Sequence, residues 1–111
     1  MADRRQSPRV QVPGLRTELG EVMDLSLDGA AVYCKGRLRV VVGQTLPLRF
    51  WQDGVLVAID AQVVRIEPVG LFRHEVALRF PAMSPGERGQ LRSMLEAAQL
   101  APVGAQCYLA G

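Results

Sequence analysis

The chain has 111 residues, 49% of them apolar and 22% charged, with a formal net charge of +2. That length suits one domain with one ordinary core, and apolar runs such as Val55 to Ile59 are far too short to cross a bilayer. The N-terminus is positive with no apolar stretch behind it, which does not fit a secretory signal, so the expected compartment is the cytosol. Two distant cysteines, Cys34 and Cys107, and a single histidine, His74, cannot assemble a usual zinc site and read as unpaired thiols and a strand-end residue.

Charge is unevenly placed. Residues 1–16 hold Arg4, Arg5, Arg9 and Arg16 against Asp3 alone, while the rest of the chain is close to neutral. Residues 1–14 carry no apolar period and contain Pro8 and Pro13, which predicts a flexible, extended, cationic arm suited to an anionic partner. A folded unit over 15–100 follows, and residues 101–111 form a tail without period that stays unassigned.

Within the folded unit, Leu15 to Asp24 is strand-compatible, and Leu25-Ser26-Leu27-Asp28-Gly29 reads as a turn in which Gly29 is free to take positive φ. Ala30 to Cys34 predicts a short strand, broken at Lys35-Gly36, and Leu38 to Val42 a further strand or strand-like segment. Leu46, Leu48 and Phe50 alternate with polar or outward positions up to Asp53-Gly54, the clearest hairpin signal in the chain. The return strand places Val55, Val57, Ile59, Ala61 and Val63 on one face. The period then shifts, which predicts a β-bulge near Val63-Val64. Pro68-Val69-Gly70 reads as a break, and His74, Val76, Leu78 and Phe80 alternate in a last strand. Ser84-Pro85-Gly86-Glu87 matches a capping box with proline at the first helical position. Leu91, Met94, Leu95 and Ala98 follow at helical spacing, with the end expected near Leu100, before Pro102. The fold expected from these elements is mainly β: a small antiparallel barrel of about six strands with one C-terminal helix packed on it.

Two short patterns carry chemistry. Arg5-Gln6-Ser7-Pro8-Arg9 is an RxxxR preceded by Arg4, and Asp24-Leu25-Ser26-Leu27-Asp28-Gly29 is a DxSxxG. Arginine's planar fork bonds two acceptors at once, which matches diester phosphate and the O6/N7 edge of guanine. An ionised Asp24 only accepts, and so can take the N1–H and amino hydrogens of guanine. Ser26 offers a small hydroxyl beside it, and Gly29 leaves room for a flat base. Ser26 and Asp24 can equally bond their own backbone in a turn. The first part of the second motif mimics an EF-hand loop, but the twelfth position is Lys35 instead of a bidentate glutamate, so calcium is rejected.

An RxxxR with a preceding arginine, a short variable stretch, DxSxxG, a strand-rich region and a C-terminal helix together resemble the PilZ domain. The resemblance spans roughly residues 4–100, and its specific part is confined to 4–9 and 24–29. It implies a receptor for cyclic di-GMP in which Arg5 and Arg9 clamp phosphates and guanines, while Asp24, Ser26 and Gly29 form the second motif against a guanine. Arg4 occupies a position that, in the family, influences whether one ligand or an intercalated pair is held, and an arginine there suggests the pair. The chain departs from many relatives at Asp28, where a small uncharged residue is common, and at Ala77, where glycine is common.

The flexible arm is the natural moving part, so the expected signalling mode is that it closes on the barrel when ligand binds and an unidentified downstream protein reads the change. No catalytic residue, no metal, no resident cofactor, no nucleic-acid polymer and no membrane insertion are expected. Two alternatives stand beside this reading. One is a PilZ-like protein-interaction domain that works without ligand. The other is a small nucleic-acid-binding barrel, prompted by the basic arm but short of the stacking aromatics such barrels use.

Overall fold

The computed structural model describes residues 9–110. Six antiparallel strands close into a barrel: β1 (Arg16–Thr17), β2 (Gly20–Leu25), β3 (Gly29–Lys35), β4 (Thr45–Gln52), β5 (Val55–Gly70) and β6 (Arg73–Arg79). Their order around the wall is β1-β2-β3-β6-β5-β4, and β1 closes the ring by pairing with β4. A single helix, α1 (Pro85–Ala110), follows. The expected barrel with one C-terminal helix is therefore the observed one.

The closing strand β1 has only two residues, Arg16 opposite Trp51 and Thr17 opposite Phe50. It is reinforced from the β1–β2 turn. Glu18 accepts from the Arg49 backbone N–H at 2.7 Å and from its Nε at 2.6 Å, tying the turn to β4. Burial pushes the Glu18 carboxyl up, but the two bonds from Arg49 more than offset this and hold it below its usual range.

Inward positions fill the barrel by simple alternation. Leu48 and Phe50 from β4, Val57, Ile59, Ala61 and Val63 from β5, and Val76 and Leu78 from β6 are all buried, whereas Val55, expected on the same face, is exposed because it stands at the hairpin end of β5 opposite Gln52. Phe50 meets Phe80 edge to face, with centroids 5.8 Å apart and planes at 83°. The helix stripe Leu91, Met94, Leu95 and Ala98 joins the same buried cluster. Its N-terminus carries the capping box: Glu87 N–H donates to Ser84 Oγ at 3.1 Å, and Ser84 N–H donates to a Glu87 carboxylate oxygen at 3.0 Å.

The Asp53-Gly54 hairpin forms as expected, with both residues at positive φ (48° and 84°), the geometry that matches strand twist. The bulge expected near Val63-Val64 is present as a register shift between Val63 and Arg65.

Several expectations are corrected. Leu38 to Val42 is not a strand: only Val40 is buried, while Val41 and Val42 face solvent in the connector between β3 and β4. β-Branched content alone does not make a strand when no neighbouring edge is left to pair. Pro68-Val69-Gly70 does not break the chain. β5 runs on to Gly70, and a second register shift between Pro68 and Gly70 accommodates the proline that cannot donate. The turn falls instead at Leu71-Phe72. The helix passes Pro102 and ends at Ala110, although Pro102 and Gly104 are the poorest helix formers in that stretch. Gly29 does not take positive φ. It opens β3 opposite Arg79, and a Cβ there would collide with the carbonyl oxygen of Leu78.

The N-terminal segment is corrected in part. From Val10 onward it belongs to the packing: Val12 and Leu15 are fully buried, and Gln52 Nε2 donates to the Pro13 carbonyl at 2.6 Å. Cys34 is an unpaired thiol buried inside β3, and burial pushes its pKa up.

Candidate functional site

The site is built where the N-terminal segment crosses the end of β2. Val10 and Leu25 exchange both backbone hydrogen bonds, at 2.8 and 2.9 Å, forming an isolated antiparallel bridge. That bridge sets Arg9 beside Asp24, and Arg9 Nη1 donates to Asp24 Oδ1 at 2.5 Å. The two sequence motifs, fifteen residues apart at these positions, thus meet in one ion pair. Both side chains remain about one-third exposed, 37% and 31%.

Asp24 faces outward because of a bulge. The register of β2 against β3 shifts between Val22 and Asp24, so Met23 is the extra residue. Val22 and Leu25 are both buried, which strict alternation forbids for residues three apart. The bulge lets both point inward and leaves Met23 and Asp24 on the outer surface. The signal was present in the sequence as Val22 and Leu25 flanking two consecutive residues, and the sequence reading missed it.

Ser26 is placed differently from Asp24. It is buried, and its Oγ accepts from the N–H groups of Asp28 (3.1 Å) and Gly29 (3.2 Å). The Ser26 N–H donates to the Gly29 carbonyl at 2.8 Å. Of the two uses open to this hydroxyl, the turn is the one realised here. Ser26 shapes the corner on which Asp24 stands. Gly29 is also buried, packed under β6, so its missing side chain makes room for backbone and not for a base. Asp28 is exposed at the same corner, and its carbonyl accepts from Phe80 N–H at 2.8 Å, which fastens the corner to the end of β6.

An open cleft of about 460 Å³ starts at Asp24 and runs over the outer face of β2. Gln11 and Pro13 form one wall; Met23 and Tyr33 supply apolar surface, and Glu21 a second carboxylate. Tyr33 was not singled out from the sequence, because an isolated aromatic in a short strand carries no signal of its own. Arg4 and Arg5 lie outside the described residues. Among the described residues, no group of three or more His, Cys, Asp or Glu side chains is arranged to hold a metal ion.

The chemistry available is that of a donor and an acceptor held face to face at the surface. Arg9 presents a guanidinium fork, Asp24 a carboxylate with one oxygen free of Arg9, and the cleft beside them offers a partly apolar floor.

Comparison with known proteins agrees with this architecture. The family model described as "PilZ domain" matches residues 3–97. A search of curated proteins finds no significant match. Among solved structures, Escherichia coli YcgR in complex with c-di-GMP superposes with a TM-score of 0.78 at 17% identity, covering 97% of this chain and 51% of that one. The PilZ domain of Escherichia coli YcgR with c-di-GMP gives 0.74 at 17% identity, covering 94% of this chain and 98% of that one. The Bacillus subtilis inhibitor of motility, MotI/DgrA, gives 0.69 at 20% identity, over 89% of this chain and 52% of that one. This chain therefore spans about half the length of the full YcgR and MotI chains.

Proposed function

The chain belongs to the PilZ domain family, and from that membership we propose that it is a binding module for cyclic di-GMP, not an enzyme. The observation that carries the proposal is the Arg9–Asp24 pair, in which the two motifs of the sequence face one another at the surface. In this reading the pair is the resting state of the site. A ligand that offers acceptors to arginine and donors to aspartate on adjacent atoms can enter between them and satisfy both. Guanine does so, with O6 and N7 on one side and N1–H with its amino group on the other. Arg5 joins Arg9 as the clamp on the diester phosphates, and Arg4 sets whether a second ligand stacks on the first. Ser26 and Gly29 act by holding the corner that carries Asp24, in place of the direct contact to the base expected from the motif.

An exposed ion pair costs little to open, about 1 kcal/mol or less, so the resting contact is no obstacle to a charge-assisted ligand. Titration calorimetry with cyclic di-GMP tests the reading. Binding in the micromolar range or tighter, abolished by Arg9→Ala and by Asp24→Ala, is the expected result. No heat and no thermal shift for the natural chain would reject it. A stoichiometry near two ligands per chain supports the role given to Arg4.

The signalling step is part of the same proposal. The bridge at Val10 supports a pivot there, with residues 4–9 closing over the ligand and the altered surface read by a downstream protein in the cytosol. Hydrogen exchange on residues 4–14 checks this, and unchanged protection at saturating ligand would refute arm closure. A ligand-independent interaction domain is the second reading, favoured by one observation: Asp24 is already bonded to Arg9 and Ser26 to its own turn. The same titration separates the two.

A further inference from the structure

The turn joining β5 to β6 is built from the wrong residues for its shape. Gly70 pairs with Arg73, so Leu71 and Phe72 alone make the turn, and Phe72 sits at a φ of 55°. Left-handed backbone is the province of glycine and asparagine, and a bulky aromatic there is an outlier. The hairpin at Asp53-Gly54 shows the residues such a position normally receives. Phe72 has no packing compensation either. It is 68% exposed, and its neighbour Leu71 is 83% exposed, the highest of any large apolar side chain among the described residues. Val69, just before the turn, is 52% exposed.

The residues flanking the apex are cationic, and the acidic residues of the same hairpin, Glu67 and Glu75, pair with each other across the strands further from the tip. Lys35 pairs with Arg73 across β3 and β6, and Gly36 N–H donates to the Phe72 carbonyl at 2.8 Å, which places Lys35 and Arg37 against the turn. Lys35, Arg37 and Arg73 are exposed, and none of the ion pairs found among the described residues engages them. The tip therefore has an apolar point with three uncommitted positive charges just behind it.

We infer that the Leu71-Phe72 tip is a peripheral docking point for an anionic lipid surface. Two arguments select this occupant over a protein. Three side chains on a convex turn fall far short of the roughly 800 Å² that each partner gives to a stable protein interface. A lipid interface needs no matching shape: apolar groups enter at the level of the acyl boundary while cations a few ångströms behind meet the phosphates. No helix among the described residues is long and apolar enough to cross a membrane, so the contact is an adsorption and not a span. The strained phenylalanine fits the same reading. Backbone strain at an exposed position is retained where function demands that side chain.

This inference does not depend on the proposed cyclic di-GMP site at Arg9 and Asp24, since Asp24 pairs with Ala31 on β3, four residues from Lys35. Co-sedimentation of the full chain with phosphatidylglycerol-containing vesicles, against pure phosphatidylcholine vesicles, tests it. The natural chain should bind the anionic vesicles at least tenfold more strongly, and added salt should weaken binding. Leu71→Ser and Phe72→Gly should each lower the affinity at least tenfold. Phe72→Gly is the informative variant, because it relieves the left-handed strain: its melting temperature should rise while vesicle binding falls. Absence of binding to anionic vesicles overturns the inference and leaves the tip to a protein partner. Binding that survives both tip substitutions overturns it as well.

Discussion

Gly29 lies so close under the carbonyl oxygen of Leu78 that no side chain fits between β3 and β6 at that point. The glycine of the DxSxxG motif is thus a packing requirement of the barrel, placed three residues beyond the serine because that is where the turn delivers the chain to β6. The first prediction follows directly. Gly29→Ala forces one of two backbones to move, and overpacking of this kind costs about 1–3 kcal/mol. Urea denaturation should show that loss, and cyclic di-GMP titration should show weakened binding, because the corner carrying Asp24 moves with it.

Ser26→Ala should behave as a structural change. The substitution leaves the N–H groups of Asp28 and Gly29 without their buried acceptor, a loss of about 1–3 kcal/mol for a stranded buried group. Chemical denaturation should register it in the absence of any ligand. A serine acting only on the ligand would leave the stability of the free protein unchanged.

Asp24→Asn is the converse. It weakens a surface ion pair, so folding stability should fall by less than about 1 kcal/mol, while an amide can no longer accept from a guanine edge with both oxygens. Calorimetry should find the ligand affinity gone in a protein that melts almost normally.

Much of this arrangement was legible because it is local. Asp53-Gly54 and the Ser84–Glu87 box are decided within four residues, by φ preferences and by side chains that reach their own backbone. The period shift at Val63-Val64 declared its bulge in the same way. What escaped depends on partners distant in sequence. Nothing near Gly29 says that Leu78 will lie over it. Nothing near Leu38 to Val42 says that every strand edge is already taken. The bulge at Met23 was masked because Asp24 was read for its chemistry and not for the direction it faces. The role of Ser26 stayed open because the same hydroxyl serves a turn or a ligand equally well, and only the folded corner shows the turn bonds it makes.

Glu18 should make stability depend on pH. Its folded pKa lies below the ordinary carboxylate value, so its contribution is fully present above that value and is lost as pH falls through the folded one. Glu18→Gln should therefore be less stable than the natural chain near neutral pH, and the gap should close in acid, below about pH 4. The partners are half exposed, which keeps the difference below about 1 kcal/mol. Thermal melts of both proteins across this range provide the check.

Phe50→Ala removes a fully buried ring and its edge contact with Phe80. A loss of about 3–5 kcal/mol is expected, large against the total stability of a domain this size. The variant should populate unfolded chains at low urea, with the denaturant slope little changed.

The two-residue strand β1 gives the barrel an unusual dependence. The ring is complete only while the segment leading into Arg16 stays in place, and that segment is fastened at its far end by Val10 on Leu25. A molecule gripping Arg9 and Asp24 together would add a second fastener at the same spot, and its binding energy would count toward keeping the wall shut. Occupancy and thermal resistance then become a single coupled quantity, rising with the logarithm of ligand concentration.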